Sequence, residues 1–244
     1  MSYWFIADLH LSPARADISA LFAEFLQQLA KQQTEAVYIL GDLVDAWIGD
    51  DDPSEFALQL QQQLRQLTES GVPVYFIAGN RDFLIGQQFA ERTGVQLLAE
   101  PSVINLYGND TLILHGDSLC SADKSYQRFR RLIRSPWVTR LLLALPLSLR
   151  LRIAQRLRAA SKTQRALSAA ELELMDVTPT TVTAMFEHYQ VKHMIHGHTH
   201  RPAIHQHQLT DGSMAQRIVV GDWYQQGSML KIDAHGVELL TQPL

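Results

Sequence analysis

The chain has 244 residues, of which 46% are hydrophobic, and it carries a formal net charge of −4 at pH 7. This length and apolar content predict one domain over residues 1–244, and the acidic balance argues against a nucleic-acid partner. A single cysteine, Cys120, forms neither a disulfide framework nor a thiolate metal site, and without a signal peptide or a ~18-residue apolar run we expect a cytoplasmic protein.

The first half of the chain alternates short apolar strands with amphipathic helices. Predicted strands at residues 3–7, 36–40 and 74–78 each run into a polar cluster. Predicted helices span residues 17–33, with Asp17 as the cap, and residues 54–70. This alternation favours parallel strands joined by right-handed crossovers. The three clusters are Asp8 and His10; Asp42 and Asp45; and Asn80, Arg81 and Asp82.

From about residue 95 onward the predicted strands are short and joined by tight turns. Residues 102–106 and 111–115 form a predicted hairpin, and a run of antiparallel strands follows at 204–209, 216–220, 228–234 and 237–241. We therefore expect a mixed sheet from the first half to pack face to face on a largely antiparallel sheet from the second half. Two more apolar segments, 111–114 and 192–195, end in clusters, namely His115 with Asp117 and His196 with His198 and His200.

The five clusters predict one metal centre. Polar side chains at the ends of neighbouring strands converge on one edge of a sheet. A lone histidine there is more often structural, but carboxylate, imidazole and amide groups in five such places suit Mn²⁺, Fe²⁺ or Zn²⁺. Two ions that share a carboxylate and lie about 3.5–4 Å apart favour in-line displacement at phosphorus. The candidate ligands, too many for one ion, are Asp8, His10, Asp42, Asn80, His115, His198 and His200.

Residues 123–175 interrupt the strand pattern, and we expect a helical cap at about 123–170 that Pro136 and Pro146 divide into short helices. Residues 123–165 hold 12 of the chain's 21 lysines and arginines, interleaved with apolar residues. Three interpretations stay open: a cap with its apolar face on the body and its arginines in solvent, an Arg cluster for phosphate or nucleic acid, or a surface that accepts lipid. A cap that is both apolar and basic suggests a substrate that is both acylated and phosphorylated.

The order Asp-X-His, Gly-Asp-X-X-Asp, Gly-Asn-Arg-Asp, His-Gly-Asp and Gly-His-Thr-His resembles the calcineurin-like metallophosphoesterase superfamily over residues 3–205. The resemblance implies an α/β fold, a four-layer α/β/β/α sandwich with an inserted helical cap. It also implies that Asp42 bridges two ions, and that His196 lies outside the pattern. One ion would then take Asp8, His10, Asp42 and His200, and the other Asp42, Asn80, His115 and His198.

A closer resemblance, to the UDP-2,3-diacylglucosamine pyrophosphatases of lipid A biosynthesis, covers nearly the whole chain. It depends on residues flanking the shared motifs, at 5–11, 38–43, 46–52, 75–84, 143–147 and 195–202. It implies hydrolysis of UDP-2,3-diacylglucosamine to UMP and 2,3-diacylglucosamine 1-phosphate by water activated at two ions, usually Mn²⁺. It also implies attack at the phosphorus nearer uridine, and a protein held peripherally at the inner membrane.

The same resemblance implies which side chains contact the substrate. In catalysis, Arg81 would stabilise charge on the phosphoryl oxygens beside Asn80, and His198 with Asp82 would orient groups or handle protons. Arg165 stands where the family commonly has Asn, yet it could still donate to phosphate or sugar. Asp45 and Asp117 are expected to support the ligands. The predicted substrate contacts are Asn80, Arg81, Asp123, Ser161, Arg165 and His198.

The partners we expect are an acylated UDP-sugar and the surface of the cytoplasmic membrane, with no nucleic acid and with the protein as a monomer. Another phosphoesterase, acting on a dinucleoside polyphosphate or a phosphoprotein, is the enzymatic alternative, and the apolar basic cap argues against it. A protein-binding scaffold would have lost ligands that this chain keeps. A membrane-binding protein with a structural metal site would bind liposomes without hydrolysis.

Overall fold

The computed structural model of the chain describes residues 1–162 and 176–244. Arg165 lies outside the described residues, and so does the side chain of Ser161. The strands are β1 (Ser2–Ile6), β2 (Thr34–Ile39), β3 (Val74–Ile77), β4 (Gln96–Leu98), β5 (Ser102–Leu106), β6 (Asn109–Ile113), β7 (His193–His196), β8 (Ala203–Gln208), β9 (Met214–Val219), β10 (Gln226–Asp233) and β11 (Gly236–Pro243).

The two helices predicted from apolar periodicity, at residues 17–33 and 54–70, form at Ala16–Lys31 and Glu55–Glu69. Ser54 caps the second helix by accepting from the backbone N–H of Ala57. The prediction that Asp17 caps the first helix is wrong, because Asp17 lies in its first turn and its carboxylate accepts from Arg15. The helices are α1 (Ala16–Lys31), α2 (Glu55–Glu69), α3 (Gln87–Thr93), α4 (Lys124–Ile133), α5 (Pro136–Ala144), α6 (Leu147–Lys162) and α7 (Pro179–Tyr189).

The strands form a six-stranded sheet, β11-β10-β1-β2-β3-β4, and a five-stranded sheet, β5-β6-β7-β9-β8. Strands β1 to β4 pair in parallel and β5 with β6 antiparallel, as predicted. The expected division into halves is wrong, because β10 and β11 join the first sheet and the second sheet has parallel pairs at its centre. Strand β10 is apolar on both faces, with Met229 toward the helices and Leu230 toward the other sheet, which suits a place between β1 and β11.

Three hydrophobic clusters confirm the four-layer sandwich. The first lies between α1, α2, α3 and the first sheet and includes Phe22 and Trp223. The second, with Phe5 and Ile218, lies between the two sheets. The third, with Phe186, packs α7 on the outer face of the second sheet. Neighbouring residues of β1 alternate between the first two clusters, so a one-residue shift in register would exchange them.

Helices α4, α5 and α6 form the described part of the predicted cap, between β6 and α7. The exposure of their side chains differs from the first interpretation of the cap, in which the apolar face packs on the body and the arginines lie in solvent. Trp137 is 80% exposed and Leu141 66%, whereas Arg150 is buried, donating to the Ile48 carbonyl and to both carboxylate oxygens of Asp51. Among the described residues, no helix is both long and apolar enough to cross a membrane.

Candidate metal centre

The turns after β1 and β2 form the floor of the site. The two strands pair in parallel, and their hydrogen bonds continue past the strand ends. Asp8 donates its backbone N–H to the Gly41 carbonyl at 3.1 Å, and His10 donates to the Asp42 carbonyl at 3.0 Å. The two turns therefore hold Asp8, His10 and Asp42 side by side, as the sequence predicts.

Five of the predicted ligand residues have a left-handed backbone. Their φ angles are 55° at Asp8, 49° at His10, 52° at Asp42, 68° at His198 and 56° at His200. This conformation costs about 1–3 kcal/mol at a residue with a side chain and persists only where the surrounding structure enforces it. The left-handed conformation at all five residues directs their side chains toward one place. Such backbone strain is concentrated at functional sites.

Close backbone approach explains the glycines of the Gly-Asp and Gly-Asn motifs. Gly41 has φ +85°, and a Cβ on Gly79 would lie 2.2 Å from Asp42 Oδ1. The buried carboxylate of Asp82 connects the loops that carry these two glycines, because it accepts from the N–H of Gly79 and of Leu43, each at 2.7 Å. Both its oxygens are thus used to fix the Asp42 turn.

Two groups of metal-ligating side chains share Asp8. Asp8, His10 and His200 form one group, and Asp8, Asp42 and His115 form the other, with the ligand atoms of each within 4.8 Å of one another. His200 Nε2 lies 3.3 Å from Asp8 Oδ1. Asp42 faces both groups, with Oδ2 3.9 Å from His10 Nε2 and Oδ1 3.8 Å from His115 Nε2. Its two oxygens therefore face one histidine of each group.

Asn80 and His198 lie at the edge of this cluster. The Nδ1–H of His115 donates to the Leu40 carbonyl at 2.8 Å, which leaves Nε2 facing Asn80 Oδ1 at 2.9 Å. The ring of His198 is 5.0 Å from that of His115, and its backbone N–H donates to Asp8 Oδ2 at 2.6 Å. The imidazole of His198 belongs to neither of the two groups among the described residues.

The charges of the centre depend strongly on one another. Burial raises the pKa of Asp42 to about 7. Burial would also raise the pKa of Asp8, but the hydrogen bond with His200 and the charge of the nearby His115 lower this pKa to about 2. Burial disfavours charged imidazoles, yet Asp42 and Asp8 raise the pKa of His115 to about 9, and hydrogen bonds with Asp222 and Asp8 raise that of His200 to about 10. Burial lowers the pKa of His10 to about 3.

The donor set fits a divalent cation. Among the described residues, both ring nitrogens of His10 are buried without a hydrogen-bond partner. Unpaired buried acceptors are costly unless an ion or water meets them. Carboxylate and imidazole donors suit a borderline divalent metal.

Three other predicted residues have structural contacts. The buried side chain of Asp117 accepts from Tyr126 at 2.8 Å and Arg130 at 2.8 Å on the cap. Asp45 pairs with Arg158. Asp123 caps α4 by accepting from the Tyr126 N–H at 2.9 Å. Asp117 and Asp45 therefore connect the cap to the body beside the centre.

His196 supports the last ligand loop. Its ring is buried; Nδ1–H donates to the Gly197 carbonyl at 2.8 Å, and Nε2 accepts from Arg217 at 2.9 Å. Gly197 itself is packed against Asp8, since a Cβ there would lie 2.4 Å from Asp8 Oδ2. His196 thus holds the backbone that leads into His198.

A cavity of about 80 Å³ opens between the cap and the body next to the centre. Asn80 and Arg81 lie on its wall, so the predicted catalytic pair reaches it. The apolar part of the lining comes from both cap and body and includes Trp47, Ile48, Phe83, Leu84, Ile133, Leu142, Ile153 and Leu157.

The sequence prediction missed Asp222 and Tyr224, after β9. Asp222 Oδ2 lies 3.1 Å from His200 Nδ1, and the ring of Tyr224 stacks on that of His10 with centroids 5.1 Å apart. A signal was present: the apolar residues 218–220 run into Gly221 and Asp222, the pattern that also precedes Asp42.

Comparisons with known proteins agree with this geometry. The calcineurin-like phosphoesterase profile matches residues 1–202. The UDP-2,3-diacylglucosamine hydrolase of Vibrio cholerae serotype O1 (strain O395) is 48% identical over 241 residues, 98% of this chain and 97% of the relative. That of Klebsiella pneumoniae is 49% identical over 243 residues, 100% of each chain. A solved archaeal phosphodiesterase has a TM-score of 0.51 and 11% identity over 99% of both chains, which shows a like fold.

Proposed function

The chain belongs to the calcineurin-like phosphoesterases and, within them, to the UDP-2,3-diacylglucosamine hydrolases, and we propose that it hydrolyses UDP-2,3-diacylglucosamine. The products are UMP and 2,3-diacylglucosamine 1-phosphate, which gives the enzyme a step in lipid A biosynthesis. The observation that carries the proposal is the pair of ligand groups sharing Asp8, beside a largely apolar cavity that Arg81 lines.

We further propose that the centre holds two Mn²⁺ ions. Asp42 would serve both ions, and Asp8, His10 and His200 would complete one site. The other site takes Asn80, His115 and His198. When bound, such ions neutralise phosphate charge and lower the pKa of a coordinated water, which supplies the nucleophile.

The polar residues of the cavity act on the pyrophosphate. Arg81 donates to the phosphoryl oxygens and stabilises the charge that develops there. Asn80 and His198 contact the same phosphate, and the attack falls on the phosphorus nearer uridine. The backbone N–H of Arg81 donates to Asp42 Oδ1 at 2.8 Å, which supports this assignment because it ties the arginine to the bridging carboxylate.

The acyl chains occupy the apolar part of the cavity. Leu142, Ile153 and Leu157 of the cap line it together with Trp47 and Phe83 of the body. Arg158 lies on the same wall and supplies a positive charge next to the apolar surface. The remaining predicted substrate contacts, Asp123, Ser161 and Arg165, keep their place in this proposal.

The cap also brings the protein to the inner face of the cytoplasmic membrane, where its acylated substrate resides. Leu132, Trp137 and Leu141 are 62%, 80% and 66% exposed. Basic side chains of the same helices, among them Arg128 and Arg140, are exposed beside them. Apolar side chains with surrounding basic groups suit an anionic lipid surface. In this proposal the protein binds there peripherally, as a monomer with one domain over residues 1–244 and its cap at about 123–170.

Mass spectrometry of the reaction products tests the function. The protein is incubated with Mn²⁺, detergent and either UDP-2,3-diacylglucosamine or UDP-glucosamine. We expect UMP from the acylated substrate alone, and no UMP with the His10→Ala variant. Equal cleavage of both substrates would contradict the acyl-chain assignment, and no cleavage of either would contradict the proposed activity.

A further inference from the structure

We propose that Asp222 and Tyr224 are positioning residues that complete the ion site of Asp8, His10 and His200. Asp222 fixes the imidazole of His200, and Tyr224 fixes that of His10. The inference rests on the metal centre of the proposed function and adds two residues from a part of the chain outside the five motifs.

The turn that carries both residues is anchored from beneath by Trp223. This side chain is fully buried, with its ring 6.3 Å from Phe22 and 5.8 Å from Phe25, and its indole N–H donates to the Ser228 carbonyl at 2.9 Å. Its backbone N–H donates to the Asp8 carbonyl at 3.2 Å. The turn is therefore held directly against a ligand residue, and its flanking side chains keep a fixed place beside the centre.

Both carboxylate oxygens of Asp222 have a defined role. Oδ1 accepts from the backbone N–H of Tyr224 at 3.1 Å, which orients the group. Oδ2 then faces His200 Nδ1 at 3.1 Å, while His200 Nε2 faces Asp8 Oδ1 at 3.3 Å. Because Nδ1 is engaged by Asp222, only Nε2 points to the place where an ion would lie. A carboxylate behind a ligating histidine fixes its tautomer and ring orientation.

Tyr224 packs against the imidazole of His10. Among the described residues, neither ring nitrogen of His10 has a hydrogen-bond partner. The Tyr224 ring stacks on it at 5.1 Å and 12°, so packing sets the orientation of that imidazole. The carbonyl of Tyr224 accepts from Arg15 at 2.9 Å, and Asp17 holds the Arg15 side chain. The stack is thus connected to the start of α1.

Calorimetric titration of Mn²⁺ into the metal-free full chain tests the role of Asp222. We expect Asp222→Ala to weaken one of the two Mn²⁺ sites by about 10–100-fold. Asp222→Asn keeps an acceptor oxygen and should restore binding close to that of the unchanged protein. Asp211→Ala is the matched control, because Asp211 also accepts from the N–H two residues on, at 2.8 Å, in a turn away from the centre. Unchanged binding by Asp222→Ala, or no rescue by Asn, would overturn the proposal.

A spectroscopic measurement separates positioning from a general loss of structure. In ¹⁵N-labelled protein loaded with diamagnetic Zn²⁺, the His200 ring should show a protonated Nδ1 and a metal-bound Nε2. That signature should be lost in Asp222→Ala and kept in Asp222→Asn. Its persistence in the alanine variant would contradict the proposed role of Asp222.

Tyr224 is tested by two variants in the same Mn²⁺ titration. Tyr224→Phe preserves the stacked ring and should bind like the unchanged protein, whereas Tyr224→Leu should bind more weakly. Equal binding by both variants would contradict the role of the ring. None of these readouts needs a substrate, so a failure to cleave UDP-2,3-diacylglucosamine alongside the expected Mn²⁺ results would count against the proposed function alone.

Discussion

Glu100 couples the cap to the metal centre, and its replacement by glutamine gives a specific prediction. Its side chain is 8% exposed. Oε2 accepts from Arg130 at 2.7 Å and Arg134 at 2.6 Å on the cap, and Oε1 accepts from the backbone N–H of His115 at 3.0 Å. One carboxylate therefore joins α4 to a candidate ligand.

Glu100→Gln replaces the carboxylate by a neutral amide, which weakens both hydrogen bonds with the guanidinium groups because the negative charge between them is lost. Each such bond contributes about 1.5–3 kcal/mol. Both arginines retain Asp117, with Nε of Arg130 at 2.8 Å and Nη2 of Arg134 at 3.3 Å, so we take the lower end of that range. The free energy of unfolding should fall by about 3 kcal/mol, which for a chain of this size lowers Tm by about 6–12 °C.

The assay is thermal unfolding together with hydrogen exchange of the α4 amides, which should exchange faster in the variant. Glu69→Gln is the control, because Glu69 pairs with Arg65 at 2.7 Å but both side chains are about 60% exposed. Exposed pairs of this kind contribute about 0.2–1 kcal/mol. If Glu100→Gln lowered Tm no more than Glu69→Gln, the coupling through Glu100 would be refuted.

Two further predictions concern the metal and the membrane. Mn²⁺ binding should release protons and strengthen from about pH 6 to about pH 8, because the pKa of His115 is raised to about 9 and that of His200 to about 10 in the metal-free chain. Calorimetry in buffers of different ionisation enthalpy measures this, and a heat independent of the buffer would contradict it. Trp137→Glu with Leu141→Glu should abolish flotation with anionic liposomes, whereas Leu58→Glu, at a residue 53% exposed on α2, should not. Liposome binding unchanged by the double variant would exclude the proposed docking face.

The sequence predicted the sandwich and the place of the centre because both depend on local patterns. An apolar segment with a polar cluster at its end marks a buried strand and its turn within about ten residues. The missed Asp222 has the same local pattern, but a lone Gly-Asp after residues 218–220 lacks the repetition that made the other five clusters significant. The role of Asp222 follows only from the tertiary structure, in which β9 pairs with β7 next to the loop that carries His200.

Other features depend on tertiary contacts that no local pattern encodes. The left-handed backbone at Asp8 and His198 is held by the neighbouring loops, because even Asp and His, which adopt it more often than most residues, do so in only a minority of cases. The composition of the cap leaves solvent, phosphate or nucleic acid, and lipid open as the surroundings of its arginines, yet Arg134 pairs with Glu100 and Arg150 pairs with Asp51. Ion pairs between residues far apart in sequence follow from the position of the cap and cannot be inferred from composition.

The assignment of two ions to shared ligands is tested most directly by anomalous diffraction at the manganese edge, from crystals grown with Mn²⁺. The account predicts two peaks about 3.5–4 Å apart, on either side of the Asp42 carboxylate. One peak should lie among Asp8, His10 and His200, and the other among Asn80, His115 and His198. A single peak, or two peaks that do not share Asp42, would contradict the central claim.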